Sequence, residues 1–121
     1  MPRIGQCYPW FNLPGQGYGY LRFNNGRAVC AALQPALNPD APKVILVGEG
    51  PLREKWAQIL CDQDRNIPID VYLKRGTNKW EYAGEFVVQA STEAVDDIRR
   101  HEKKAKRHDV VRVIYLKNRG T

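Results

Sequence analysis

At 121 residues the chain has the size of one ordinary domain and is long enough to bury a core without disulfide staples. With 43% hydrophobic and 26% charged residues it falls among globular proteins, and no apolar run approaches the roughly 18 residues of a membrane span. The net charge of +6 is unevenly held: residues 1–97 carry 10 Lys/Arg against 11 Asp/Glu, or −1, and residues 98–121 carry 9 against 2, or +7.

The N-terminal MPRIGQCYPW lacks an apolar signal core and a small-residue cleavage site, which predicts a cytoplasmic protein. Residues 1–16, rich in Gly and Pro, read as an ordered arm or irregular strand. GYGYLRF (17–23) alternates aromatic or apolar residues with small or polar ones, the pattern of a strand. Asn25-Gly26 then predicts a two-residue hairpin, because a type I′ turn needs positive φ at both central positions. RAVCAAL (27–33) returns as the second strand, and the proline-rich QPALNPDAP (34–42) is a loop. KVILVG (43–48) is a buried strand. Pro51 opens a helix, where its missing N–H costs nothing. Leu52, Trp56, Ile59 and Leu60 form the expected apolar stripe of that helix.

IPIDVYLKRG (67–76) reads as a strand, TNK as a turn, and WEYAGEFVVQA (80–90) as the antiparallel partner. Ser91 or Thr92 is the expected cap of a second helix, with Glu93, Asp96 and Asp97 near its positive end and Val95 and Ile98 anchoring it. Beyond Ile98 that helix turns basic (RRHEKKAKRH), and DVVRVIYLKN (109–118) closes the chain as a strand. The order ββ-β-α-β-β-α-β predicts an α+β fold in a single domain, 1–121: a small curved mixed sheet or partly closed β-barrel with two helices.

Candidate chemistry is sparse. Cys7, Cys30 and Cys61 form no CxxC pair, and Cys30 and Cys61 sit in apolar stretches as buried thiols. VGEGPLREK (47–55) lacks phosphate-loop spacing, and Glu49 and Glu54 repel an anion, so it reads as a tight turn. Asp70 with Glu102-Lys103-Lys104 does not make a nuclease centre, because catalytic carboxylates should project from adjacent strands to share a metal. His101 and His108 lack a third ligand. The sequence reads as a binding protein with no catalytic, metal or cofactor site.

Six of the twelve aromatic residues lie in the first 23 positions: Tyr8, Trp10, Phe11, Tyr18, Tyr20 and Phe23. Trp80 and Tyr82 alternate on one face of a strand. Rings beside cations are what stacking on a nucleobase requires.

VYLKRGTNKWEYAGEFVV (71–88), followed by a helix and RHDVVRVIYL (107–116), resembles the end of SRA-type (YDG) domains of the PUA-like group of modified-base readers. The matching residues are Arg75-Gly76 and Tyr82-Ala83-Gly84-Glu85-Phe86-Val87-Val88, with Ala83 where the family's triplet has an acid. The resemblance implies a PUA-like curved sheet that accepts a modified base flipped out of double-stranded DNA. It also implies a modification-dependent restriction system with a nuclease partner. On this expectation Tyr8, Trp10, Trp80 and Tyr82 stack on the base, and Asn24 and Asp70 bond its edge. Arg75, Lys79, Arg99, Arg100, Lys103, Lys104, Lys106 and Arg107 then hold phosphates. The alternative is a protein-interaction module (antitoxin, immunity protein or phage inhibitor) docking the basic helix on an acidic partner. Salt dependence separates the two, because phosphate neutralisation releases condensed counterions.

Overall fold

The computed structural model describes residues 1–120. Its strands are β1 (Cys7–Tyr8), β2 (Leu21–Asn24), β3 (Arg27–Leu33), β4 (Val44–Gly48), β5 (Ile69–Gly76), β6 (Lys79–Thr92) and β7 (Val110–Asn118). The helices are α1 (Pro51–Asp62) and α2 (Val95–Ala105), and a 3₁₀ turn spans Trp10–Asn12. The seven strands form one mixed sheet in the order β2-β3-β5-β6-β7-β4, with the short β1 added to β6. Only β3 and β5 run parallel. The architecture is the α+β curled sheet that the element order predicts. No helix among the described residues is long and apolar enough to cross a membrane.

Local sequence explains the turns. Asn25 at φ 53° and Gly26 at φ 76° join β2 to β3, the pair of positive φ values that a type I′ turn demands. Asn78 at φ 53° does similar work between β5 and β6. The strand foreseen over 17–23 begins only at Leu21, and Gly17–Tyr20 form a loop.

α1 touches both β3 and β4, which lie towards opposite ends of the strand order, so the sheet curls around it. The inner face holds the larger core: Leu21, Leu33, Ile45, Val71, Phe86 and Ile114 meet Ala57, Leu60 and Cys61 of α1. Each fully buried aliphatic chain there contributes about 1.5–3 kcal/mol. β5 supplies Ile69, Val71 and Leu73 to this face and turns Tyr72 outward, the alternation of a strand. β6 breaks that rule. Trp80, Tyr82, Phe86 and Val88 all occupy even positions, yet the first two face outward and the last two inward. A bulge where Val71 pairs with Gly84 (φ +118°) adds one residue and reverses the parity.

The stripe of α1 differs from expectation. Leu52 is 61% exposed and Ile59 lies outside the core cluster, because the helix turns the face of Trp56, Ala57, Leu60 and Cys61 inward. In α2 Ile98 packs on the sheet but Val95 is 58% exposed. The residue before α2 is Ala94, with no side-chain cap. Thr92 acts two residues earlier: its hydroxyl accepts from the Ala94 N–H and donates to Asp97, and Ser91 takes no such role. Cys30 and Cys61 are buried and Cys7 is exposed.

Two covers seal the outer face. α2 lays Ile98 and Ala105 over Val44, Leu46, Val110 and Val113. The N-terminal arm lays Tyr8, Trp10 and Leu13 over Cys30, Ala32, Tyr72, Trp80 and Tyr82.

Candidate nucleic-acid interface

The arm has almost no regular structure, so something else must satisfy its backbone. β1 pairs with β6, and Gly5 and Gln6 exchange backbone bonds with Tyr82. The Trp10 N–H donates to Asn78 Oδ1 at 2.8 Å, tying the 3₁₀ turn to the β5–β6 hairpin. The central strut is Arg22, only 6% exposed. Its guanidinium donates to the carbonyls of Leu13, Pro14, Gly15 and Gly17 and lies 4.7 Å from the Trp10 ring centroid. One β2 side chain thus shapes the whole 13–17 loop. No carboxylate among the described residues bonds to it.

The residues that follow this loop, 18–20, line an open cavity of about 420 Å³. Its aromatic lining comes from four places: Trp10 on the arm, Tyr18 and Tyr20 on the loop before β2, Trp56 on α1, and Trp80 on β6. All three tryptophans of the chain therefore converge on one cavity. Gly19 is required there, because a Cβ would fall within the indole of Trp56. The Tyr20 hydroxyl donates to the Arg53 carbonyl at 2.8 Å, which fixes the ring against α1. The polar lining is Gln34, Asn38 and Arg53, and no carboxylate among the described residues lines the cavity. Asn38 is occupied: Oδ1 accepts from the Leu46 N–H, and Nδ2 donates to the Gln34 carbonyl. The Gln34 carboxamide has no hydrogen bond among the described residues and offers a donor and an acceptor to the cavity.

Of the residues expected to bind a base, Trp10 and Trp80 are brought together at this wall. Their centroids are 5.1 Å apart. That leaves no slot for a ring between them, which needs about 7 Å, two aromatic contact distances. A ligand would instead lie against their cavity-side edges. Tyr8 does not reach the cavity: it stands edge-on to Tyr72 at 6.2 Å beneath the arm. Tyr82 is 7% exposed and donates to Asp70 Oδ1 at 2.8 Å, so neither lines the cavity. Burial holds the Asp70 carboxyl above the usual range, the Tyr82 bond pulls it back, and Glu85 adds to the rise. The same burial, with the Asp70 charge second, pushes the Cys30 thiol up to about 12. Asn24 is exposed beside the β2–β3 turn and is absent from the cavity lining.

The expected phosphate ligands divide in three. Arg107 is structural: its side chain is 12% exposed, and it bonds Asp109 and the carbonyls of Leu37 and Leu46. Arg75, Arg100 and Lys104 are exposed but paired, with Glu81, Asp97 and Asp40. Lys79, Arg99, Lys103 and Lys106 are exposed with no carboxylate partner among the described residues. Lys106 holds φ 56° in the left-handed cap of α2. The loop 34–42 links the two regions. Leu37 and Asn38 line the cavity, while Asp40 and the Leu37 carbonyl hold Lys104 and Arg107. Of the two histidines set aside as metal ligands in the sequence, His101 Nε2 meets the Tyr115 hydroxyl at 2.9 Å, and His108 is exposed.

The sequence reading missed Tyr18, Tyr20, Trp56, Gln34 and Arg53 as one group. One signal was available. The chain has no acid before Asp40, and residues 1–39 carry Arg3, Arg22 and Arg27. No protein-family model, curated protein or solved structure matches the chain.

Proposed function

We propose that this chain is a nucleic-acid-binding domain that takes an unstacked base into the aromatic cavity and holds the backbone with free cations of α2. The observation that carries this reading is the convergence of all three tryptophans, with Tyr18 and Tyr20, on a cavity of about 420 Å³ with no carboxylate of the described residues in its lining. That volume lies within the range of about 300–1,000 Å³ usual for small-ligand sites. Base–aromatic stacking is worth about 1–3 kcal/mol per base, and rings from several elements give a base more than one face to meet. Arg53 and the acid-free stretch 1–39 favour an anionic partner over a cationic one. Arg99, Lys103 and Lys106 supply charge that reads no sequence.

The resemblance of residues 71–116 to SRA-type domains narrows the proposal to a modified or extruded base in double-stranded DNA, with cleavage left to a separate nuclease. In that case the base meets Trp80 from the family-like segment, and the remaining cavity residues come from outside it.

The three tryptophans make the test direct, because a base stacked on an indole quenches its emission. Plain and modified duplexes, mismatched duplexes and single strands are titrated at two salt concentrations. The expected result is saturable quenching, strongest for modified or unpaired targets, with an affinity that falls as salt rises. Binding to none of these nucleic acids at low salt would overturn the reading.

A further inference from the structure

We propose that the domain binds two successive unpaired nucleotides, the second in an open depression on the far side of Tyr18. This rests on the base-binding reading of the central cavity. The depression measures about 370 Å³ and is lined by Trp10, Phe11, Gln16, Gly17, Tyr18 and Arg22. It shares Trp10 and Tyr18 with the central cavity, so the partition between the two is built from aromatic side chains.

Phe11 and Tyr18 are 79% and 98% exposed, and neither belongs to a core cluster. Singly exposed rings are common, but two on the rim of one depression form a patch of the kind that marks a binding surface. The backbone holds both in place. The 3₁₀ turn anchored by Asn78 directs Trp10 against Trp80 and leaves its neighbour Phe11 outside. Arg22 fixes the Gly17 carbonyl, the residue before Tyr18, at 2.8 Å.

Charge selects the occupant. Arg22 is a buried cation bonded only to carbonyls, and four such bonds use four of its five N–H donors. No acid among the described residues lines either compartment. A partner that alternates flat rings with anionic links meets these features, and adjacent bases of one strand fit two compartments separated by a thin wall.

The test uses the intact chain and tryptophan quenching. The ligands are thymidine 3′,5′-bisphosphate, the dinucleotide and the tetranucleotide of thymidine. The bisphosphate controls for phosphate charge without a second base. The dinucleotide is expected to bind about tenfold more tightly than the bisphosphate, the value of one added stacked base, and the tetranucleotide to add little more. Phe11→Ala, at an exposed position, is expected to erase that tenfold gain and leave bisphosphate affinity unchanged, with an unaltered melting temperature. Equal binding of dinucleotide and bisphosphate, or equal weakening of both by Phe11→Ala, would overturn the second compartment while leaving the first reading intact. Binding of none of the three, nor of any longer nucleic acid, would sink both.

Discussion

The arm and α2 cover the same outer face of the sheet by different means. α2 is a regular helix that satisfies its own backbone, so it meets the sheet with the aliphatic Ile98 and Ala105 and with two side-chain bonds, His101 to the Tyr115 hydroxyl and Glu102 to the Val110 N–H, and its outer surface is left free for charge. The arm has no such internal ladder. It borrows β6 for a few bonds and Arg22 for four more, and it packs with rings. Each cover also has one anchoring arginine. Arg107 at the end of α2 has the Asp109 carboxylate as well as two carbonyls, whereas Arg22 has carbonyls alone. A helix makes a self-sufficient lid. An irregular arm needs an internal donor, and in exchange it can present side chains at angles that a helix cannot, which is how it builds cavity walls.

Truncation should expose this difference most strongly at the ring cluster. Trp80→Ala should cost about 3–5 kcal/mol, because the residue is 8% exposed beneath the arm. Ile98→Ala, under α2, should cost less, about 1–2 kcal/mol, since its side chain is only partly buried. Denaturant unfolding measures both, and equal losses would show that the two covers are energetically alike.

The anchoring arginines come next. Arg22→Met strands four carbonyls and should destabilise by roughly 3 kcal/mol, with amide exchange rising first in residues 1–17. Arg107→Met should cost nearer 1 kcal/mol, because Asp109 is exposed and regains water. Exchange that rises uniformly over the chain after Arg22→Met would show that the arm is not a separable cover.

Changes on the surface of α2 should spare stability and alter binding. Replacing Arg99, Lys103 and Lys106 by Gln should weaken all nucleic acids alike and reduce the salt slope by up to about one unit per lost phosphate contact. An unchanged slope removes α2 from the interface. Lys106→Gly separates the two effects at one position. The left-handed cap should gain about 1 kcal/mol of stability while affinity falls, whereas a loss of stability would show that the Lys106 side chain supports the fold.

The smallest effect is in pH. Asp70 under the arm has a raised pKa, so the folded chain holds that proton more tightly than the unfolded chain. Its contribution is present at low pH and declines as pH rises from the ordinary carboxylate range through the raised value. Asp109 beside α2 has a lowered pKa through its bonds to Arg107. It contributes above the ordinary range and fades as pH falls through its lowered value. Asp70→Asn should therefore flatten the decline on the alkaline side of the carboxylate range, and Asp109→Asn the decline on the acid side. Melting temperatures across pH 3–7 distinguish them, and identical profiles for both variants would contradict the assignment.

Local chemistry is written plainly in the chain. The positive-φ pair Asn25-Gly26, Pro51 at the start of α1, the two hairpins and the basic run of α2 all follow from a few adjacent residues, and so did the α+β class. The stripe of α1 was half legible: its period was right, but Leu52 is left exposed and the buried face runs through Ala57, Leu60 and Cys61, which no window of the helix records. Trp80, Tyr82, Phe86 and Val88 share one parity in the sequence, and only the extra residue of the bulge, Ala83 beside Gly84, sends them to opposite faces. The cavity lay furthest from sight. Trp10, Tyr20, Trp56 and Trp80 stand on four elements far apart in the chain, and what assembles them is the curl that brings α1 to the same side as β3 and the arginine that folds the arm over β6. Turns and helix ends are decided by bonds between near neighbours, so the sequence alone determines them. A cavity is the space left where distant surfaces fail to meet, so only the completed packing decides it.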